Sequence, residues 1–281
     1  MTKALLCFGL GYSAEVLAAR LAGRGWTIRG TRRTADASAR LEGLGYEMFV
    51  YDGSRPVPPS ALEGVTHVLS SVPPTADGDS VLRDHADALR ACDSLVWVGW
   101  LGSTAVYGDA DGAWVDESSP TRPVSERGER RLAAEQAWLA SGLPVHLFRL
   151  AGIYGPGRNV LERLRAGVPH RIVKPGHVFS RIHVHDIANV VEASIARPRP
   201  GVIYNVADDE PAGADVVLAY GAKLLNLPVP PAVPFEEADL SPMARDFYRD
   251  DKRVANARIR EELGIELAYP TYREGLAALR D

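Results

Sequence analysis

Two glycines and an alanine near the start of the chain have a spacing that could bind phosphate. Gly9, Gly11 and Ala14 form the pattern G-x-G-x-x-A directly after an apolar run. The first glycine permits a tight turn, the second lets a pyrophosphate approach the backbone, and the small third residue lets a helix pack closely on a sheet. The helix N-terminus adds N–H groups and a partial positive charge. The pattern predicts a dinucleotide site that includes Tyr12 and Ser13; a glycine turn with only a packing role is the alternative.

The end of the second predicted strand bears on which dinucleotide would bind. An NAD site usually has an Asp or Glu there, which binds the ribose 2′-hydroxyl. Here the segment reads Thr31-Arg32-Arg33, with no acid. Guanidinium groups and a hydroxyl suit a 2′-phosphate, so the sequence favours NADP(H) over NAD(H), although two arginines on a loop could simply be solvated. Asp52 could bind the adenine amino group or belong to a turn, and Ser71 lies in the segment of residues 70–79, which is predicted to pass the cofactor.

The elements that would position these residues alternate between short apolar runs and helical patterns. Several runs are apolar almost throughout, which is typical of parallel strands covered on both faces. The alternation predicts an α/β fold with a Rossmann-type doubly wound parallel sheet. Predicted strands cover residues 4–8, 26–30, 46–51, 66–71, 95–102, 144–150 and 202–206, and predicted helices cover residues 12–24, 79–92, 125–140 and 185–196.

The last third of the chain has a different character. Residues 227–234, LPVPPAVP, are proline-rich and predict an irregular connector. Helix starts are predicted at Ser241, Asn256 and Thr271, each with a side chain that can cap a helix, and Gly264 would end the second of these helices. This region is therefore predicted to be mainly helical.

Composition and charge narrow the classes of function. The 281 residues are 46% apolar and 24% charged, with a net charge of −4, as in an ordinary soluble globular protein. The chain offers no basic field for nucleic acid, and no apolar run reaches the roughly 18 residues of a membrane span. The N-terminal apolar run is too short for a signal peptide, and Cys7 and Cys92 are expected to be buried free thiols. These features predict a cytoplasmic protein that binds neither nucleic acid nor membrane.

Five segments, the first of which is the glycine motif, are more informative in their order and combination than any one of them alone. They are GLGYSA (9–14), LGSTAVYGD (101–109), DESSPTRPVSERGERRLAAEQAWL (116–139), FRLAGIYGPGR (148–158), and RIHVHDIANVVEA (181–193) leading to YNVADDEP (204–211). Together they resemble the extended branch of the short-chain dehydrogenase/reductase superfamily, the NAD-dependent epimerase/dehydratase group, and its atypical members described as nucleotide-sugar epimerase-related. The resemblance implies a Rossmann domain of about seven strands over residues 1–152 plus 179–208. A smaller mixed or helical substrate domain would comprise residues 153–178 plus 209–281.

The resemblance also identifies the positions where that family does its chemistry. A Ser or Thr after the fifth strand holds the substrate hydroxyl or carbonyl, and this role falls on Ser103, with Thr104 beside it. A Tyr then acts as acid/base, and a Lys four residues later lowers its pKa and binds the nicotinamide ribose, within P-x-S-x-Y-G-x-x-K-x-x-x-E. This chain fits the frame without a gap, but Arg127 stands in place of the Tyr and Arg131 in place of the Lys.

The two replacements change what this helix start can do. Arginine stays protonated and has no acceptor, so Arg127 cannot cycle a proton as tyrosine does. Arg131 could still donate to the cofactor ribose, and Arg127 could bind an anionic substrate. Alternatively, both belong to a solvated helix face, with Glu126–Arg130 and Arg131–Glu135 as pairs one turn apart.

If the protein catalyses a reaction, a group other than Arg127 must act as the acid/base that transfers the proton. Tyr107, four residues after Ser103, is the first substitute, although in the family this Tyr is more often structural. The resemblance places Tyr154 in the pocket at the domain boundary, and Arg158 where an anionic substrate could bind.

The segment HVHD invites a metal at first sight. It contains His183, His185 and Asp186. The resemblance instead places these residues at a strand-to-helix junction, with Asp186 as a helix cap. No metal site is therefore predicted.

Two functions compete on these observations. The first is an NADP(H)-dependent reductase or epimerase-like enzyme that acts on a small carbonyl or hydroxyl substrate, nucleotide-sugar-like substrates included. The second is a non-catalytic dinucleotide-binding sensor or scaffold that has lost the Tyr/Lys pair. Because family members often dimerise through the helix containing residues 125–140, a homodimer is also an expectation.

Overall fold

The structure is a computed structural model that describes residues 3–281, without the side chains of Pro242 and Met243. Within this range the strands are β1 (Ala4–Phe8), β2 (Thr27–Arg32), β3 (Glu47–Val50), β4 (His67–Ser70), β5 (Trp97–Leu101), β6 (Trp114–Val115), β7 (Val145–Leu150), β8 (Gly152–Tyr154), β9 (Arg171–Val173), β10 (Arg181–His183), β11 (Ile203–Val206), β12 (Ala232–Pro234) and β13 (Arg253–Val254).

The helices of the same range alternate with these strands. They are α1 (Tyr12–Ala22), α2 (Ala39–Glu42), α3 (Ser80–Arg90), α4 (Glu126–Leu139), α5 (Val160–Arg165), α6 (Val184–Ala196), α7 (Ala214–Leu224), α8 (Pro242–Asp246), α9 (Ala257–Leu263) and α10 (Tyr272–Ala277), with short 3₁₀ helices at Pro59–Ala61, Thr104–Tyr107 and Phe235–Glu237. The predicted seven strands and four helices of the α/β pattern are confirmed, and their ends differ by no more than two residues.

A seven-stranded parallel sheet in the order β11-β7-β5-β4-β1-β2-β3 carries the fold. Every residue of β1, β5 and β7 is buried, as expected of apolar strands with helices on both faces. The chain order reverses between β1 and β4, which lie side by side. In open α/β sheets, ligands bind at such a switch point, beyond the carboxyl ends of the strands. The segment after β1 therefore lies at the place where this fold class binds its ligands.

The chain divides into two compact units. The first contains residues up to Ser103 together with Glu129–Arg149 and Ala188–Tyr204, and the second contains Thr104–Gly128, Leu150–Ile187 and Asn205–Asp281. The domain boundaries predicted from the sequence stay a prediction.

A buried carboxylate ties three elements of the first unit together. Asp79 caps α3, because its Oδ1 accepts from the Leu82 N–H at 3.1 Å. Its Oδ2 accepts from the indole N–H groups of Trp100 on β5 and Trp138 on α4, at 3.2 and 2.9 Å. Since buried polar atoms are costly without partners, these three bonds fix α3 and α4 to the sheet.

The second unit has its own core and three short strand pairs. Tyr154, Leu161, Val217, Tyr272 and Leu276 form a buried cluster, and the pairs are β8 with β10, β9 with β12, and β6 with β13. The prediction of an irregular connector at residues 227–234 is wrong at its end, because β12 pairs in parallel with β9. A two-stranded pair tolerates proline, since a proline at the strand end forfeits only one donor.

All three predicted helix starts of the last third are confirmed, and at two of them the predicted residue caps the helix with its side chain. The Ser241 hydroxyl accepts from the Ala244 N–H, and Thr271 forms a capping box. Asn256 does not cap α9. Its amide N–H groups donate instead to the Ala207 carbonyl at 2.9 Å and to Asp209 Oδ1 at 2.7 Å. These two bonds hold the side chain against residues 207–209.

Two predictions concerned metal and membrane. Among residues 3–281, no group of three or more His, Cys, Asp or Glu side chains is arranged to hold a metal ion. No described helix is both long enough and apolar enough to cross a membrane.

Candidate functional site

The loop of residues 9–14, called the glycine loop below, is held by residues at the ends of β2 and β4, the strands on either side of β1. Gly9 has φ of +76°, a conformation that favours glycine. Its N–H donates to Thr31 Oγ1 at 2.9 Å, and its carbonyl accepts from Ser71 Oγ at 2.5 Å. A Cβ added to Gly9 would lie only 2.9 Å from Ser71 Oγ. The loop is therefore shaped by β2 and β4 before any ligand binds.

Gly11 leaves open space at the start of α1. It is the N-cap residue, and no side chain caps the helix there. A Cβ added to Gly11 would meet nothing nearer than the Gly9 carbonyl oxygen at 3.7 Å, so the protein itself does not require glycine here. Tyr12 and Ser13 begin the helix and are half-buried, whereas Ala14 is buried against the sheet. This is the geometry expected of a helix N-terminus that receives an anion.

Thr31 and Arg32 at the end of β2, and Arg33 directly after it, have different surroundings. Thr31 is 1% exposed, and its hydroxyl serves the glycine loop rather than the solvent. Arg32 is half-buried and forms an ion pair with Glu15 of α1, which also pairs with Arg40. Arg33 is exposed and makes no hydrogen bond or ion pair that the structure records within residues 3–281. The structure thus brings an acid, Glu15, to a strand end where the sequence has none.

Asp52 has the setting of a turn residue. Its side chain is exposed, and Oδ1 accepts from the Ser54 N–H at 2.9 Å. Hydrogen bonding to Ser54 lowers the pKa of Asp52. This arrangement favours the turn alternative over a contact with adenine.

The segment after β5 holds the predicted catalytic residues. Ser103 lies two residues beyond the strand, and the Thr104 hydroxyl donates to the Leu150 carbonyl at 3.4 Å. Tyr107 is 2% exposed, and its hydroxyl donates to Asn205 Oδ1 at 2.7 Å. The Asn205 N–H in turn donates to Glu117 Oε1 at 2.7 Å.

Neither Glu117 nor Asn205 stood out in the sequence. Burial raises the pKa of Glu117. The only signal for Asn205 was a polar residue inside an apolar strand pattern, YNV.

Tyr154 and Arg158 are placed differently from each other. Tyr154 is 7% exposed and packs against Gly275, with its hydroxyl donating to the Thr271 carbonyl at 3.3 Å. Burial raises the pKa of Tyr154. Arg158 is exposed, and its backbone pairs with Gly155. Tyr154 thus belongs to the core cluster of the second unit, and the substrate roles of both residues stay predictions.

Asp186 is not at the N-cap position of α6, contrary to the expectation. It lies inside the first turn of α6, which begins at Val184. Its carboxylate accepts from the backbone N–H groups of Ala268 and Tyr269, at 2.8 and 3.0 Å. The N–H groups of a distant segment therefore take the acceptor that a cap would use. His183 beside it is buried, and burial lowers its pKa to about 4, so it is neutral at physiological pH.

Known proteins resemble this chain over its whole length. A solved structure of a functionally unknown conserved protein from Silicibacter pomeroyi DSS is 53% identical, with a TM-score of 0.94, and the match covers 99% of this chain and 98% of the other. A putative NAD-dependent epimerase/dehydratase from Methylobacillus flagellatus is 26% identical, with a TM-score of 0.74, over 99% and 97% of the two chains. Protein YeeZ of Escherichia coli K12 is 28% identical over 282 residues, 95% of this chain and 97% of YeeZ. No family model matches the sequence.

The chain fits the extended branch of the short-chain dehydrogenase/reductase superfamily, to which its epimerase/dehydratase neighbour is similar. Its similarity to the epimerase/dehydratase group agrees with the seven-stranded sheet and with the order of the motifs. It departs from the pattern of that superfamily at α4, where Arg127 is exposed and Arg131 is half-buried. A Cβ on the intervening Gly128 would lie 3.0 Å from the Ala105 carbonyl oxygen. The helix start that lacks the Tyr/Lys pair therefore packs against the Thr104–Tyr107 turn.

The expectation of a solvated face on α4 is wrong at Glu135. This residue is 2% exposed, and its carboxylate accepts two hydrogen bonds from the buried Arg149 guanidinium, at 2.5 and 3.1 Å. The side chain points to β7 because one face of α4 packs on the sheet, and position 135 falls on that face together with Ala134 and Trp138. The last residue of the superfamily frame thus has a structural role.

Sequence reasoning missed a buried acid in the second unit. Asp208 is 1% exposed, and its carboxylate has no side-chain hydrogen-bond partner among residues 3–281. Burial raises the pKa of Asp208 to about 8, an effect that the positive charge of Arg181 opposes. The segment ADDEP contains three acids in succession, and nothing local distinguishes the one that is buried.

Proposed function

We propose that this protein binds a nicotinamide dinucleotide at the glycine loop and acts with it as an NADP(H)-dependent reductase or epimerase-like enzyme on a small carbonyl or hydroxyl substrate. The observation that carries the proposal is the open space at Gly11, beside a helix N-terminus that no side chain caps. A loop kept for packing alone would not need this vacancy, because a methyl group fits there without a clash.

The residues around the loop fit such a cofactor. Thr31 and Ser71 hold Gly9 from both sides, so that the loop has little conformational entropy to lose on binding. The first-turn N–H groups of α1 and the positive end of the helix suit a pyrophosphate. Arg32 and the exposed Arg33 lie at the end of β2, where the 2′-substituent of the adenosine ribose is read. Their charge supports NADP(H).

The bound dinucleotide would supply the hydride or accept it, and the chain would supply the proton and hold the substrate. Ser103, at the carboxyl end of β5, is proposed to donate a hydrogen bond to the substrate oxygen. Arg127 cannot exchange a proton. Tyr107 already donates to the Asn205 amide oxygen, which is a poor base, so its acid/base role requires that this bond be given up.

The second candidate is a dinucleotide-binding protein without catalysis. The specific observation in its favour is the combination of Arg127 and Arg131 with a Tyr107 hydroxyl engaged by Asn205. Both candidates predict cofactor binding at the glycine loop. Hydride transfer to a substrate separates them.

The test compares two glycine-to-alanine variants at the two ends of α1. We expect Gly11→Ala to fold normally and to lose NADPH and NADH binding by at least about tenfold, because its methyl group fills the space of a pyrophosphate. Gly23→Ala at the other end also has room for a methyl group and should bind as the wild type does. Cofactor fluorescence titration gives the dissociation constants.

Two results would contradict the proposal. Wild-type protein that binds neither cofactor would show that the fold serves another purpose. Equal binding by Gly11→Ala and wild type would show that the cofactor lies elsewhere.

A further inference from the structure

Glu15, in the first turn of α1, holds two arginines with one carboxylate. Arg32 Nη2 donates to its Oε1 and Arg40 Nη2 donates to its Oε2. The side chains of Glu15 and Arg32 are 25% and 27% exposed, and that of Arg40 is 64% exposed. A single carboxylate therefore joins α1, the end of β2 and α2.

Glu15 lies close to the place where dinucleotide-binding folds recognise the adenosine ribose. Glu15 follows directly on the glycine loop, and Arg32 is the last residue of β2. In dinucleotide-binding folds the residue at the end of this strand reads the 2′-hydroxyl or the 2′-phosphate of the ribose. The acid that would bind a 2′-hydroxyl is absent from β2 but reaches its end from the helix.

The net charge of Glu15, Arg32 and Arg40 would affect a 2′-phosphate and a 2′-hydroxyl differently. One carboxylate and two guanidinium groups sum to one positive charge. A 2′-phosphate at Arg32 and Arg40 would meet the like charge of Glu15, whereas a 2′-hydroxyl could donate to that carboxylate. Arg32 Nε is buried and has no hydrogen-bond partner among the described residues, so Glu15 satisfies only part of the Arg32 guanidinium.

We propose that Glu15 is a specificity-determining residue of the dinucleotide site. It holds Arg32 and Arg40 and offers a ribose hydroxyl an acceptor, and it thereby restrains the preference for NADP(H) that the arginines alone would set. This inference rests on the proposed function. It adds that the protein accepts NADH as well as NADPH and that one side chain sets the ratio.

The test measures the dissociation constants of NADPH and NADH by isothermal titration calorimetry at fixed ionic strength. In Glu15→Gln, we expect the ratio of affinities for NADPH over NADH to rise about tenfold, because the phosphate is no longer repelled and the hydroxyl loses a charged acceptor. Glu47→Gln is the matched control. Glu47 of β3 forms an ion pair with Arg29 of β2, away from the carboxyl edge of the sheet. Its replacement should therefore leave the ratio unchanged.

A second variant gives the opposite sign and does not disturb α1. Arg40→Gln removes an exposed positive charge and leaves Glu15 with Arg32. We expect this variant to lower the ratio of NADPH over NADH affinity several-fold. Circular dichroism establishes that each variant is folded.

The outcomes separate this inference from the proposed function. If wild type binds both cofactors but Glu15→Gln and Arg40→Gln leave the ratio unchanged, the role of Glu15 is refuted and cofactor binding stands. Binding of only one of the two cofactors by wild type would likewise refute the inference and leave cofactor binding standing. A fall of the ratio in Glu15→Gln would also refute it, since Glu15 would then position the arginines for phosphate. If wild type binds neither nucleotide, both proposals fail together.

Discussion

Asp208 is a carboxylic acid in a setting that disfavours its charge. It is 1% exposed and lacks side-chain hydrogen-bond partners within residues 3–281, and burial raises its pKa to about 8. Its backbone N–H donates a hydrogen bond to the Arg181 carbonyl at 2.6 Å. We therefore expect Asp208 to be mostly protonated in the folded protein at pH 7, whereas the unfolded chain ionises it near pH 4.

This difference predicts how the free energy of unfolding depends on pH. A carboxyl group with a raised pKa in the folded state gives its full stabilisation below about pH 4, and this contribution is lost as pH rises toward 8, by up to about 1.4 kcal/mol per pH unit. Asp208→Asn, which cannot ionise, should remove that slope. Urea unfolding at pH 5 and pH 8 should show the variant gaining stability relative to wild type at the higher pH.

The neighbouring acid provides the control for this measurement. Asp209 is half-exposed and forms an ion pair with Arg260 at 2.6 Å, so Asp209→Asn should not gain stability at pH 8. If Asp208→Asn loses stability at pH 8 instead, Asp208 is ionised in the folded protein and its charge is paired with Arg181.

At the scale of elements, α4 is the helix on which the function of the superfamily usually depends. Its N-terminal turn packs against the Thr104–Tyr107 turn through Gly128, and further along it is fixed to the sheet by Glu135 and Trp138. These contacts are independent of the Tyr/Lys pair. The helix thus keeps its place although the residues that it usually presents are absent.

The buried ion pair between α4 and β7 yields a prediction about this element. The side chains of Glu135 and Arg149 are 3% and 5% exposed. Arg149→Met leaves an unpaired carboxylate in the core and should cost about 3–5 kcal/mol of unfolding free energy, whereas the double variant Glu135→Leu, Arg149→Met should cost less than the single one. Urea unfolding of wild type and both variants checks the order.

The same experiment can contradict the assignment. If the double variant is less stable than Arg149→Met by more than about 1 kcal/mol, the loss comes from packing rather than from an unpaired charge. Arg165→Met is the control, because Arg165 and Glu162 form an exposed pair within one helix that contributes little.

At the scale of the whole molecule, the division into two units predicts where a bound cofactor would act. The glycine loop, Thr31, Ser71 and the Glu15 cluster all belong to the first unit. NADPH at about 100 times its dissociation constant should stabilise the protein by about 2.7 kcal/mol. Hydrogen exchange should slow first in β1, α1 and the end of β2, because those backbone groups surround the ligand.

Gly11→Ala provides the reference for the exchange experiment. Its amides should exchange at the same rate with and without NADPH, since the variant is expected to lose the ligand and keep the fold. Protection by NADPH that is confined to the second unit of the wild-type protein would contradict the placement of the cofactor at the glycine loop.

The sequence alone determined the class of fold and the position of the glycine loop. The seven strands and four main helices could be predicted because buried parallel strands and amphipathic helices leave local patterns of apolar residues. Gly9 could be identified because a tight turn requires glycine there, and Gly11 because the proposed close approach of a pyrophosphate would require it. The missing Tyr/Lys pair is likewise a statement about residue types in a frame, and it needs no coordinates.

Only the tertiary structure decided which side chains meet. Glu15 reaches Arg32 across 17 residues and Arg40 across 25, and the burial of Asp208 next to the exposed Asp209 has no local signature. Asn256 and Asp186 have the residue types of helix caps, yet other backbone groups engage them. The reason is physical: propensities and periodicities act within a few residues, whereas ion pairs, burial and pKa shifts depend on neighbours that the chain brings together from a distance.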